Sequence, residues 1–224
     1  MNKKNLFCAV LFCVAVAGCD VFVSNETRIE RAQEYLTQGN QRGAIIELKN
    51  VVEDDSENGA ARALLAQALF NLGDVEAAQA ELNRAFDLGV KSPEASQLRA
   101  DLLLAQRDYK ALEQWLNSQH ELSEESRDLL LARAKLGLGD SEAADQILQR
   151  ALRNNPGSPE LQRGLAELLA ATGDREGALE RLSQILAENP KDARALLMQA
   201  ALLMQGGRTD LAERAYAAAL ENGS

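Results

Sequence analysis

Histidine and cysteine are scarce in this sequence, and their scarcity excludes catalytic and metal sites that are built from several of these residues. Among 224 residues there are three cysteines and one histidine, His120. A Ser-His-Asp set needs a histidine held between two partners, and zinc sites draw on several His and Cys side chains. His120 lies in the polar stretch NSQHELSEES, where we expect an exposed linker residue. We therefore predict a protein that is not an enzyme, with no catalytic residue, no metal site, no cofactor and no small-molecule substrate.

Proline and aromatic residues are also few, with 4 prolines and 4% aromatics. Alanine, leucine, glutamate, glutamine and arginine dominate instead, and all of these favour helices. Strands are usually marked by short runs of alternating β-branched or aromatic residues, and no stretch shows that pattern. The sequence therefore predicts an all-α fold.

Positive charge is in deficit: 24 Lys and Arg face 34 Asp and Glu, which gives a net charge of -10. An acidic chain repels the phosphate backbone, so nucleic acid is excluded as a predicted partner. The same charge gives the chain no electrostatic help in lying on anionic lipid. Any hold on a membrane must come from elsewhere.

Long apolar runs are limited to one, and it is too short to cross a membrane. It extends over 12 residues, from Leu6 to Ala17, behind Lys3 and Lys4. A spanning helix needs about 20 apolar residues. A basic start, a short apolar core and a small-residue exit are typical of a secretory leader.

The end of this run, Val16-Ala17-Gly18-Cys19, resembles the bacterial lipobox. The resemblance implies a leader over residues 1–18, acyl chains on Cys19 and a lipidated tether over residues 19–24. Cleavage would leave Cys19 as the single cysteine of the mature chain, at its N-terminus. Acylation accounts for such an unpaired residue. Several acyl chains give durable anchoring. The alternative is a plain secretory leader with a chance cysteine.

Asp20 follows the cysteine directly. In enteric lipoproteins, an Asp at this place resembles a signal that retains the protein in the inner membrane. It implies a periplasm-facing protein in the envelope of a Gram-negative bacterium, with the inner membrane favoured and the outer membrane as the open alternative.

A turn motif recurs six times along the rest of the chain. Its turn residues are Gly39, Gly73, Arg107, Gly139, Gly173 and Gly207, at intervals of 34, 34, 32, 34 and 34. Glycine can end a helix in the left-handed conformation, and the Asp or Asn after it can cap the next helix. Small residues seven before and five after the turn let two helices approach closely. The period is typical of stacked helix-turn-helix units, each burying its apolar face against its neighbours.

This pattern resembles the tetratricopeptide repeat, which implies a right-handed superhelix of about six units. We place the units at about 25–58, 59–92, 93–124, 125–158, 159–192 and 193–224. The sequence departs from the family pattern near the start of the first helices, where Arg28, Arg62, Gln162 and Leu196 replace an aromatic residue. The third unit departs most, because Arg107 replaces the glycine, Leu112 replaces a small residue and the unit is two residues short. We expect its second helix to end near Ser118.

The concave face is the predicted binding site, because the first helix of each unit lines the groove in this fold. The candidate residues are Gln67, Phe70, Asp101, Arg133, Arg163 and Glu167. Two arginines on neighbouring units could hold a carboxylate or an acidic polymer. The alternative is that Arg133 and Arg163 pair with Asp101 and Glu167 across units and serve the fold.

The last helix offers a second predicted contact surface. Leu211, Ala215, Ala218 and Ala219 form an apolar face with nothing after it in the sequence. Repeat arrays usually need a polar terminal cap. We expect this uncapped helix either to meet a partner protein or to continue into a longer array.

A closer resemblance covers residues 32–89, where "YL…G…AIIELKN" and "GD…AAQAEL" are similar to the start of the tetratricopeptide lipoproteins of the PEP-CTERM/exosortase system. Those proteins resemble arrays several times this long. The resemblance implies a non-catalytic periplasmic scaffold for surface-protein sorting or exopolysaccharide export. The alternatives are an assembly lipoprotein of the pilotin or outer-membrane-biogenesis type and an adaptor that recruits an envelope hydrolase.

Overall fold

The computed structural model describes residues 23–222, and all regular secondary structure in that range is α-helical. The helices are α1 (Asn25–Thr37), α2 (Gln41–Asp54), α3 (Gly59–Leu72), α4 (Val75–Asp87), α5 (Pro93–Ala105), α6 (Tyr109–Leu116), α7 (Glu124–Gly137), α8 (Ser141–Asn154), α9 (Pro159–Ala171), α10 (Arg175–Glu188), α11 (Ala193–Gln205) and α12 (Thr209–Asn222). They form six helix-turn-helix pairs, so the predicted all-α repeat fold is confirmed. The predicted leader, the predicted acylation site Cys19 and Asp20 lie outside the described residues.

The helices begin where the turn chemistry predicts. A Ser, Asn or Asp side chain accepts a hydrogen bond from a backbone N–H of the first turn at the start of each helix from α1 to α11. Asp140, for example, accepts from the N–H of Ala143 at 3.1 Å. Such a cap contributes about 1 kcal/mol to helix stability. Short turns between well-capped helices fix the antiparallel pairing.

Small residues hold the two helices of each pair together. The alanines seven residues before the turn position are all buried, as are those five residues after it. Leucines at the next turn of the second helix, such as Leu48, Leu82 and Leu182, are fully buried against them. Each buried leucine stabilises the fold by roughly 1.5–3 kcal/mol. The core is therefore a stripe that runs the length of the array.

Charged groups replace the missing aromatic residues at the start of several first helices. Arg62 is buried and donates to the carboxylate of Glu81 at 2.6 Å and to the Ser56 carbonyl at 2.8 Å. Asp128 is also buried and accepts from Arg150 at 2.8 Å. The Arg62–Glu81 bond and the Asp128–Arg150 bond each join the first and second helices of one pair. In these two units an ion pair thus stands at the start of the first helix.

The last helix leaves less of its apolar face open than the sequence predicted. Ala215 and Ala219 are buried, because with Ala212 they form the side of α12 that packs on α11. Leu211 and Leu220 are 47% and 75% exposed. None of the helices described here is long and apolar enough to span a lipid bilayer.

Candidate functional site

A cleft of about 500 Å³ crosses the first helices of the last four repeats. The side chains that line it come from α5, α7, α9 and α11, which stand side by side because each repeat places its first helix on the same surface. The polar part consists of Gln97, Asp101, Ser126, Arg133, Glu160, Arg163 and Arg194, and the apolar part of Leu129, Leu130 and Met198. We call this site the concave cleft.

Arg163 is the structural arginine of the concave cleft. Its guanidinium is about nine-tenths buried and bonds Asp192, at the start of the next repeat, and Glu160, at 2.8 Å. Asp192 is equally buried and also caps α11 through the N–H of Ala195. With two carboxylates already bound, Arg163 has little capacity left for a ligand.

Arg133 is more accessible and has one partner. Its Nε donates to a carboxylate oxygen of Glu167 at 3.0 Å. The side chains of Arg133 and Glu167 are 34% and 39% exposed. The two residues are 34 positions apart, so the bond joins equivalent positions of neighbouring repeats. An exposed pair of this kind contributes at most about 1 kcal/mol. It can therefore exchange Glu167 for a ligand carboxylate at small cost.

Arg194 is the arginine most available to a ligand. Its side chain is exposed on the wall of the concave cleft and has no ion-pair partner among residues 23–222. The sequence analysis missed it. The repeat period could have found it, because Arg194 lies 34 residues after Glu160 and so occupies the same place in the following repeat.

Asp101 is the acidic residue that faces these arginines. Burial raises the pKa of its carboxyl above the ordinary value, and this outweighs the hydrogen bond from Gln97 and the attraction of Arg133 and Arg194. Gln97 donates to it at 3.0 Å. Arg163 does not pair with Asp101. Of the two cross-unit pairs considered in the sequence analysis, only Arg133 with Glu167 is present.

The six predicted groove residues do not form one site. Asp101, Arg133 and Arg163 line the concave cleft, and Glu167 reaches it through Arg133. Gln67 and Phe70 lie apart on α3: Gln67 donates to Asn71 at 2.9 Å, and Phe70 is half-buried against the core of the first repeats. Phe70 is therefore more a packing residue than a groove residue.

Residues 23–222 contain no group of three or more His, Cys, Asp or Glu side chains placed to hold a metal ion. The chemistry of the concave cleft is that of arginine and carboxylate side chains beside three apolar ones. Such a surface can bind a charged segment of another protein.

Comparison with known proteins agrees with this geometry. The tetratricopeptide repeat family profile matches residues 28–102, 135–202 and 169–223. No curated protein sequence matches the chain.

Three solved structures illustrate the similarity in fold. A tetratricopeptide repeat protein from Parabacteroides merdae is 18% identical, with 85% of this chain and 77% of that chain covered and a TM-score of 0.59. Pseudomonas aeruginosa pilF is 22% identical over 85% of this chain and 88% of its own, with a TM-score of 0.59. PilW, a type IV pilus biogenesis factor, is 18% identical over 85% and 90%, with a TM-score of 0.62.

Proposed function

Because the chain belongs to the tetratricopeptide repeat family of non-catalytic, protein-binding scaffolds, we propose that it is a lipid-anchored envelope scaffold whose concave cleft binds an acidic segment of a partner protein. The observation that carries the proposal is the exposed Arg194 on the wall of the concave cleft, without an ion-pair partner among the described residues. A ligand carboxylate supplies that partner.

The two accessible arginines of the concave cleft favour an acidic ligand. Arg163 is satisfied by Glu160 and Asp192, so Arg133 and Arg194 are the groups that a ligand meets. Asp101, which accepts a hydrogen bond from Gln97, is a carboxylate of the cleft that opposes such a ligand. Charge-assisted hydrogen bonds from arginine to carboxylate are among the stronger ones in proteins. Leu129, Leu130 and Met198 provide apolar contact beside them.

The membrane anchor is supported by the sequence from Val16 to Asp20. Cys19 would carry the lipid, and Asp20 favours the inner membrane, with the array facing the periplasm. Two pathways are candidates. The resemblance over residues 32–89 supports surface-protein sorting or exopolysaccharide export. The similarity in fold to pilF and PilW supports pilus assembly as the second candidate.

Photo-crosslinking in cells tests the proposal and separates the pathways. A photoreactive residue placed at Met198 lies in the concave cleft, and methionine positions tolerate replacement well. We expect a crosslinked partner protein with an acidic segment, absent when the photoreactive residue is at the exposed Gln149 of α8. Mass spectrometry then identifies a sorting or export component in the first case and a pilus component in the second. Identical crosslinking from Met198 and Gln149 would refute the concave cleft as the binding site.

A further inference from the structure

The third repeat carries a second pocket, and it exists because α6 is short. This helix has 8 residues, whereas the other second helices have 13 or 14. Regular second helices bury an apolar residue three positions after the core leucine, as Val51 and Ile185 do. In the third repeat that place falls at Gln119, which lies after the end of α6. The missing turn leaves a space of about 460 Å³.

Aromatic and aliphatic side chains form the inner walls of this third-repeat pocket. They are Phe86 near the end of α4, Val90 in the following turn and Trp115 in α6, all of them half-buried. Leu122 of the linker is buried in the same core cluster that Trp115 borders. The linker therefore closes part of the gap and leaves the ring of Trp115, the single tryptophan of the chain, at the edge of the pocket.

Ser96 adds a polar group that has no partner. It lines the pocket from α5 and is only 2% exposed. Its hydroxyl makes no hydrogen bond to any other residue in the range 23–222, although the neighbouring Ser92 caps the same helix through the N–H of Ala95. A ligand group that reaches this hydroxyl in the pocket can form one hydrogen bond with it.

The rim carries both signs of charge. Lys91 and Glu121 are exposed there together with His120, and neither Lys91 nor Glu121 belongs to an ion pair within 4 Å among the described residues. A charged ligand therefore meets attraction and repulsion at the same place. The pocket favours a neutral ligand with an aromatic ring and one hydrogen-bonding group at its far end.

We propose that the third-repeat pocket binds a tyrosine side chain of a partner protein, with the ring between Phe86 and Trp115 and the phenol hydroxyl bonded to Ser96. Aromatic rings attract each other in edge-to-face and offset arrangements. A pocket of this volume is of the size that proteins use for small organic groups. It shares no residue with the concave cleft, so this contact would be a second, independent one on the scaffold.

Tryptophan fluorescence of the full chain tests this inference, since Trp115 is the only reporter. The probes are N-acetyl-tyrosinamide and N-acetyl-phenylalaninamide, with excitation at a wavelength that tryptophan alone absorbs. We expect both to change the fluorescence and the tyrosine compound to bind roughly fivefold more tightly, which is the contribution of one hydrogen bond. Ser96→Ala should abolish that preference while leaving the affinity for the phenylalanine compound unchanged.

Ser118→Ala is the matched control, because Ser118 lies on the rim and its hydroxyl already donates to the Trp115 carbonyl at 2.9 Å. It should keep the preference for tyrosine. Equal affinity for the two probes, or a preference that survives Ser96→Ala, would overturn the assignment of the hydroxyl. Absence of any fluorescence change up to the solubility limit of the probes would overturn the site itself.

Discussion

Arg163 shows how one residue can belong to a candidate binding site and still serve mainly the fold. It fastens the fifth repeat to the sixth through Asp192, and both side chains are about nine-tenths buried. Removing one member of a buried pair leaves an uncompensated charge. The arginines of the concave cleft therefore differ in role although they are alike in sequence.

Replacing Arg163 by alanine should lower the free energy of unfolding by about 3 kcal/mol. Arg133→Ala should lower it by less than about 1 kcal/mol, because the Arg133–Glu167 pair is partly exposed. Urea denaturation followed by circular dichroism measures both. Equal, small losses in the two variants would show that Arg163 is not the structural arginine.

Asp101 predicts a pH dependence whose sign follows from its raised pKa. The folded chain binds the Asp101 proton more tightly than the unfolded chain, so ionisation of this carboxyl at neutral pH destabilises the fold. Asp101→Asn removes that cost and should raise the urea midpoint at pH 7. The gain should shrink as the pH falls through the raised pKa and vanish below the ordinary value of 3.8. A gain that is independent of pH would contradict this explanation.

At the scale of the helices and turns, the third repeat is the irregular one. Arg107 has a φ of 57°, the left-handed conformation that glycine adopts at the equivalent turns, and it is the non-glycine residue with positive φ among those described. An L-residue pays roughly 1–2 kcal/mol for this conformation. The turn is thus made at a cost that the neighbouring repeats avoid.

Arg107→Gly should therefore stabilise the chain by about 1 kcal/mol, less what glycine adds to the entropy of the unfolded state. Gly139→Arg is the matched reverse change. A Cβ at Gly139 has no atom within 4 Å, so only backbone strain is added there, and the variant should lose a similar amount. Thermal unfolding measures both shifts, and opposite signs are expected. Shifts of the same sign would refute the strain argument.

The regular parts of the fold could be predicted from the sequence because they rest on local chemistry. A glycine followed by Asp or Asn ends one helix and caps the next, and small residues at fixed distances from it place the partner helix. The short α6 was also predictable, since Arg107, Leu112 and the 32-residue interval all mark the third unit as irregular.

The candidate site was predicted only in part, because the choice of ion-pair partner depends on side-chain direction rather than on spacing. The repeat period placed Asp101, Arg133 and Arg163 on one surface. It could not show that Arg163 turns to Asp192, nor that Phe70 packs into the core. The repeat period also places Arg194 on this surface. It was missed because the earlier units have no arginine at the equivalent position.

At the scale of the whole molecule, α1 differs from the first helices of the repeats that follow it. Helices α3 and α9 bury alanine or leucine at the three places where they meet the preceding repeat, as Leu161 and Leu165 of α9 do. In α1 the equivalent places hold Thr27, Arg31 and Glu34, and the last two are exposed. This polar surface closes the first repeat, so α1 is suited to stand next to solvent.

The proposed anchor is tested on the whole protein. Cys19→Ser should move the chain from the membrane fraction to the soluble periplasmic fraction, because the acyl chains proposed to hold it can no longer be attached. Immunoblots of fractionated cells measure the distribution. Ser24→Ala, in the same segment but without a thiol, should leave it unchanged. A Cys19→Ser protein that stays in the membrane fraction would sink the lipid anchor.

The central claim is that the concave cleft recognises a partner through Arg194. The most direct test measures the affinity of the wild type, Arg194→Glu and Arg42→Glu for the partner protein that the crosslinking identifies. The account predicts that Arg194→Glu weakens binding about tenfold or more, since a charge-assisted hydrogen bond is lost and a repulsion is gained. Arg42→Glu makes the same change in net charge at an exposed position of α2 and should bind as the wild type does. Equal affinities for Arg194→Glu and Arg42→Glu would contradict the account.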